Sequence, residues 1–155
     1  MNYIQKGVSE VNFYTSMKDI AGWLEIELRD YDWHISDIDG GWCGIVDPSW
    51  VLGEEFAAKI EEFDYQFVWA VISAFPKGTE AFTSGLPYVE DNPALWKGKP
   101  CTQLDGALFE IVCWDSSATL FIGLSEELSR RLLANAPGIK DLDKENERRG
   151  ETGCM

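Results

Sequence analysis

Apolar and polar positions change their spacing several times along this chain, and each change marks an element. Met17, Ile20, Ala21, Leu24 and Leu28 recur at helical spacing behind Ser16 and Asp19, with Lys18, Glu25 and Arg29 facing outward. Such spacing makes one buried stripe, and a serine followed three residues later by an acid resembles a capping box, so a first helix is predicted. Tyr31, Trp33 and Ile35 then alternate with Asp32, His34 and Ser36. That period of two predicts a strand with an inward aromatic face and an outward face in water. Asp39, Gly40 and Gly41 supply a turn, and Trp42 to Val46 is expected to return as a short strand before Asp47-Pro48. Phe56, Ala57, Ile60 and Phe63 form a stripe opposite Glu54, Glu55, Glu61 and Glu62, which predicts a second helix over 53–63 that is acidic outside.

Upstream, Val8 to Phe13 alternates loosely and is expected as a first strand. From Tyr65 to Phe75 both alternating faces are apolar, as in a central strand covered on two sides, and Pro76 and Gly78 stop it. Residues 77–106 are rich in Gly, Pro, Thr and Asn, without periodicity, and form the longest irregular segment. Loops of that length usually carry function or partial disorder. Leu108–Trp114 and Thr119–Leu124 flank Asp115, Ser116 and Ser117 as a hairpin. Ser125 caps a third helix with Leu128, Leu132 and Leu133 inward, ended by Asn135, Pro137 and Gly138. This order implies an α+β domain: a single mixed or antiparallel sheet with about three helices packed mainly on one face. Residues 1–140 are expected to form the globular domain and 141–155 a charged, mobile tail.

Composition narrows the picture. A chain of 155 residues, 45% hydrophobic, suffices for one cored domain. The first ten residues lack a secretory pattern, and the longest apolar run, Phe67 to Phe75, is far shorter than a membrane span, so a soluble cytoplasmic protein is expected. Cys43, Cys101, Cys113 and Cys154 include no CxxC pair, so reduced thiols are the default.

Charge changes more. The net charge is −14, which argues against direct nucleic-acid binding because phosphate contacts need basic groups. Between Asp19 and Asp64 thirteen acids face only Arg29 and Lys59, leaving about −3 for the rest of the chain. Such a segment either keeps the protein in solution or meets a basic partner.

Candidate chemistry is thin. Counting a calcium loop from Asp37 puts Trp42 where glycine is required and Pro48 where the bidentate glutamate belongs, so the pattern fails. Asp32 and His34 share a strand face, but no motif supplies further ligands, and neither a metal nor a cofactor is expected. Cys43 could lie diagonal to His34, roughly 7 Å away across the hairpin. Without a glycine-rich oxyanion segment it reads better as a small apolar filler. Paired carboxylates of glycosidase type are too easily found among so many acids to discriminate. No phosphate-binding glycine motif occurs.

The segments DYDWHIS (30–36), AVISAFPKGT (70–79) and VCWDSSATLFI (112–122), in that order, resemble a family of small bacterial cytosolic proteins of unknown function. The resemblance covers most of residues 15–135 and transfers no catalytic residue. In size, acidity and α+β layout the chain also resembles the immunity proteins of bacterial toxin systems. That likeness implies a non-enzymatic binding protein, of immunity or inhibitor type, that neutralises a basic protein partner such as a toxin or nuclease, with the acids in one version mimicking nucleic acid. The expected partner-binding residues are Glu25, Asp30, Asp32, His34, Asp37, Asp39, Trp42, Glu54, Glu55, Glu61 and Glu62. The alternative is a small-molecule binder or hydrolase with a site beneath the 77–106 loop, where Tyr88, Trp96 and Asp115 are the candidates.

Overall fold

The computed structural model describes residues 1–38, 45, 47–82 and 85–153. Among the described residues seven strands form one sheet: β1 (Tyr3–Lys6), β2 (Tyr31–Ser36), β3 (Ser49–Val51), β4 (Ala70–Pro76), β5 (Phe109–Trp114), β6 (Ala118–Ile122) and β7 (Ile139–Asp141). Their spatial order is β3-β2-β4-β5-β6-β1-β7, and every neighbouring pair is antiparallel. Helices α1 (Met17–Leu24), α2 (Gly53–Glu62), α3 (Glu126–Asn135) and α4 (Leu142–Gly153) complete an α+β fold with one helix more than expected.

The sheet is buried on both sides by different covers. On one face Trp33, Ile35, Ile72, Phe109, Ile111 and Phe121 pack with Met17, Ile20 and Leu24 of α1, Phe56 and Ile60 of α2, and Leu132 of α3. On the other, Ile4, Val71, Val112, Leu120 and Ile122 meet Val89 and Leu95 of the 77–106 segment and Leu142 of α4. The segment is thus a strap laid across the sheet, with a 3₁₀ turn at Pro93–Trp96.

Local signals account for most boundaries. Ser16 caps α1 by accepting the Asp19 N–H at 3.1 Å. The helix stops at Leu24 because Glu25 turns left-handed, φ 55°, so Leu28 is buried from a separate 3₁₀ turn, Leu28–Asp30, and not from α1. In the β5–β6 turn Asp115 and Ser116 have φ 47° and 48°, and the Ser117 N–H closes it on the Trp114 carbonyl at 2.9 Å. Two successive positive φ values make the tight hairpin turn that matches strand twist. Ser125 caps α3 through the Leu128 N–H.

Several expectations are corrected. The first strand lies at 3–6, not 8–13, because Tyr3, Ile4 and Gln5 are all buried between β6 and β7 and show no alternation. Phe63 is 64% exposed and Leu133 53% exposed: Phe63 lies past the end of α2, and Leu133 falls off the stripe made by Leu128 and Leu132. The strand pairing with β2 is Ser49–Val51; the expected return at Trp42 to Val46 falls, apart from Ile45, outside the described residues. In the segment read as a charged tail, Asp141 ends β7 and Leu142–Gly153 form α4. Leu142 and Asn146, one turn apart, are both buried, and the Asn146 amide donates to the carbonyls of Leu95 (3.1 Å) and Gly98 (3.3 Å). Two inward residues per dozen suffice to dock a helix but leave almost no apolar signal.

Candidate functional site

Helix α2 stands on an unusually close backbone contact. A Cβ on Gly53 would lie 2.0 Å from the Tyr31 carbonyl oxygen and 2.8 Å from that of Arg29, so only glycine lets the helix start there. Its N-cap residue, Leu52, offers no side-chain acceptor. The cap comes instead from β2: Asp32 Oδ1 accepts the Gly53 N–H at 3.1 Å and Lys77 Nζ at 3.0 Å, and Oδ2 accepts the Gly78 N–H at 2.8 Å. A carboxylate at a helix N-terminus also meets the positive end of the peptide dipoles. Burial pushes the Asp32 carboxyl up, but the N–H groups of Gly78 and Gly53 together with Lys77 outweigh it and hold it below its ordinary range. Lys77 also pairs with Glu54 in the first turn of α2.

The outer surface of α2 carries the opposite character to its buried side. Glu54, Glu55, Glu61 and Glu62 are exposed, and each end has an exposed apolar residue, Leu52 (61%) and Phe63 (64%). Between α2, α1 and the Leu28–Asp30 turn runs a groove of about 210 Å³. Ala21, Ile26, Ala57 and Ile60 supply its apolar wall, and Glu27 and Glu61 line it with Lys18 and Arg29. Glu25 and Asp30 are exposed on the same layer. A ten-residue helix spans about 15 Å, so the exposed glutamates lie within that length of one another, with an exposed apolar residue at each end of the helix.

The expected partner-binding residues therefore divide. Glu25, Asp30, Glu54, Glu55, Glu61 and Glu62 lie on this exposed layer. Asp32 and His34 were expected in water and are buried instead, 4% and 6% exposed, because the strap and Trp50 cover the second face of β2. Asp37 is half-buried: its Oδ2 accepts the Val89 N–H at 2.7 Å, and its own N–H donates to Asp47. Asp39 and Trp42, and Cys43 with them, lie outside the described residues. Of the residues named for a ligand site, Tyr88 is 44% exposed on the strap, Trp96 touches Trp114 and Asp115 makes the β5–β6 turn.

Beneath the strap lies a polar row that periodicity did not reveal. His34, Ser73 and Glu110 are cross-strand partners on β2, β4 and β5. Ser73 Oγ donates to Glu110 Oε2 at 2.8 Å, and the Gln103 and Leu104 N–H groups donate to Glu110 at 2.6 and 3.2 Å. Burial raises the Glu110 carboxyl above its ordinary range, with the three donors offsetting part of the rise. Burial lowers the His34 imidazole, the Asp47 charge opposing it more weakly, and among the described residues its Nδ1 has no hydrogen-bond partner. Serine, histidine and glutamate suggest nucleophilic chemistry, but the hydroxyl is bound to the carboxylate, and Ser73 and Glu110 have no exposure. The row serves to fasten the strap. Its signal was Ser73 and Glu110 themselves, each polar within an apolar strand, AVISAFP and FEIVCW.

Among the described residues, no group of three His, Cys, Asp or Glu side chains converges as metal ligands would, and no helix is long and apolar enough to cross a membrane. Neither a family model, nor a curated protein, nor a solved structure matches this chain, so the α2 surface is judged on its geometry alone.

Proposed function

We propose that this is a non-enzymatic, acidic binding protein of immunity or inhibitor type, which docks and neutralises a basic protein partner on α2 and the adjoining Leu28–Asp30 turn. The observation that carries the reading is the outer strip of α2, four exposed glutamates between exposed Leu52 and Phe63. Rim acids steer a basic partner into register and speed encounter above the roughly 10⁵–10⁶ M⁻¹s⁻¹ of unsteered pairs. Apolar residues desolvated beside them supply the lasting contact, as anchors do in known interfaces. Asp32 acts indirectly: it fixes where α2 begins and never touches the partner.

Capture from a lysate of the source cells tests this with two variants of equal charge change. One reverses Glu55, Glu61 and Glu62 to lysine; the other reverses Glu10, Glu80 and Glu151, which are exposed elsewhere. The reading expects a basic protein retained by the native chain and by the second variant and lost with the first. Retention by both, equal loss by both, or no retained partner counts against it.

A further inference from the structure

On the strap side of the molecule three tryptophans from separate segments meet edge to face. Ring centroids of Trp69 and Trp114 are 5.0 Å apart at 75°, and those of Trp114 and Trp96 are 4.8 Å apart at 89°. All three rings keep partial exposure. Between Trp96, Trp114 and Pro93 opens a cleft of about 200 Å³, with Asp91 and Asn92 in its wall. Drug-sized ligands occupy roughly 300–1,000 Å³, so this cleft suits a single side chain.

The cleft's chemistry favours a cation. An indole face is electron-rich and attracts a cationic group within about 6 Å of its centre. The molecule already uses this property: the Arg149 guanidinium carbon lies 4.6 Å from the centre of the Trp96 ring, while its Nη1 donates to Asn146 Oδ1 at 2.8 Å. Asp91 is exposed at the cleft, and Glu90 and Asp115, adjacent in sequence to Asp91 and Trp114, are exposed too. Asn92 shapes the wall but is committed, its amide donating to the Tyr88 carbonyl at 2.9 Å and its oxygen accepting the Ala94 N–H at 3.1 Å. A neutral ring or sugar would use the indoles and leave the Asp91 carboxylate partly desolvated without a counter-charge. A guanidinium uses both, stacking on one of the two perpendicular rings and pairing with the carboxylate.

We propose that the Trp96–Trp114 cleft is a binding site for a guanidinium group, the arginine side chain of a protein partner, set against the indoles and paired with Asp91. The site lies across the sheet from α2 and stands independently of the docking face there.

Titration of the full chain with N-acetylarginine amide, followed by the tryptophan indole N–H resonances and fluorescence, tests it. The expected result is saturable shifts at Trp96 and Trp114 in the millimolar range. The neutral isostere, N-acetylcitrulline amide, binds at least about fivefold more weakly, since a cation–π contact and an exposed ion pair each contribute a few-fold. Asp91→Asn, an exposed change that leaves the core intact, weakens binding about threefold, and Trp96→Ala abolishes it. Equal binding of the citrulline analogue, tighter binding of methyl glucoside, or no indole shift overturns the proposal. Free arginine binding more than about tenfold tighter than the capped residue overturns a protein side chain as the source. The Glu55, Glu61 and Glu62 reversal leaves this titration unchanged, so failure here and failure of the α2 reading are separately visible.

Discussion

Among the described residues the polar side chains that the helix-covered face of the sheet buries are uncharged, Gln5 and Thr119, whereas the strap-covered face holds Asp32, His34, Ser73 and Glu110 among its apolar residues. The difference follows from the covers. A helix satisfies its own backbone and asks of the sheet only apolar contact. A strap without ladder bonds must find partners for its N–H and C=O groups elsewhere. Here the sheet supplies them: Ser36 donates to the Pro87 carbonyl (3.0 Å), Asp37 accepts from Val89, and Glu110 accepts from Gln103 and Leu104. Asp32 extends the device to the other layer by capping α2.

Substitutions on either side can break this contrast. Gly53→Ala forces a Cβ into the Tyr31 carbonyl and should cost about 4 kcal/mol or more, read as loss of the urea transition at 25 °C. Were Gly53→Ala to fold normally, the close seating of α2 would be wrong. Asp32→Ala leaves the Gly53 and Gly78 N–H groups without their acceptor and should cost about 3 kcal/mol. A Lys77→Met change removes only the half-exposed partner and should cost about 1 kcal/mol, so equal losses would refute the capping role.

Glu110→Gln should cost about 2 kcal/mol and sensitise the 77–106 strap to limited proteolysis while the helix-covered face stays protected. The pH dependences of the two buried groups carry opposite signs. Glu110 is raised above 4.5 in the folded state, so its contribution is full below that value and is lost as pH rises through the folded pKa. The native chain's advantage over Glu110→Gln should therefore shrink with rising pH. His34 is lowered below 6.5, so its contribution is full above that value and is lost as pH falls through the folded pKa. Denaturant melts between pH 5 and 8 should show the native chain's stability relative to His34→Gln falling toward acid. Reversal of Glu55, Glu61 and Glu62, all in solvent, should move stability by no more than about 1.5 kcal/mol in total.

What could be read from the sequence follows the same contrast. Met17, Ile20, Leu24, Phe56, Ile60 and Leu132 are buried as their helical spacing predicts, because a helix stripe against a sheet is a periodic object. The twofold alternation of Tyr31 to Ser36 correctly gives a strand, but assigning Asp32, His34 and Ser36 to water assumes a bare second face. The strap that covers it has no period, and α4 is held by Leu142, Asn146 and the Arg149 contact to Trp96, too few to mark a helix. The exposed glutamates of α2 were legible because charges opposite an apolar stripe have nowhere else to go. The Asp32 cap was not, since it joins residues 21 apart through a β2–β3 excursion.

The central claim is that the α2 strip, and not acidity in general, recognises a basic partner. The most direct measurement is the association rate of the captured partner with the two triple reversals of equal charge, at low and at physiological ionic strength. At low salt the Glu55, Glu61 and Glu62 reversal should slow association by about tenfold or more and the Glu10, Glu80 and Glu151 reversal by less than about threefold, with the gap narrowing as salt is added. Equal slowing by both variants would mean that net charge alone attracts the partner, and would contradict the account.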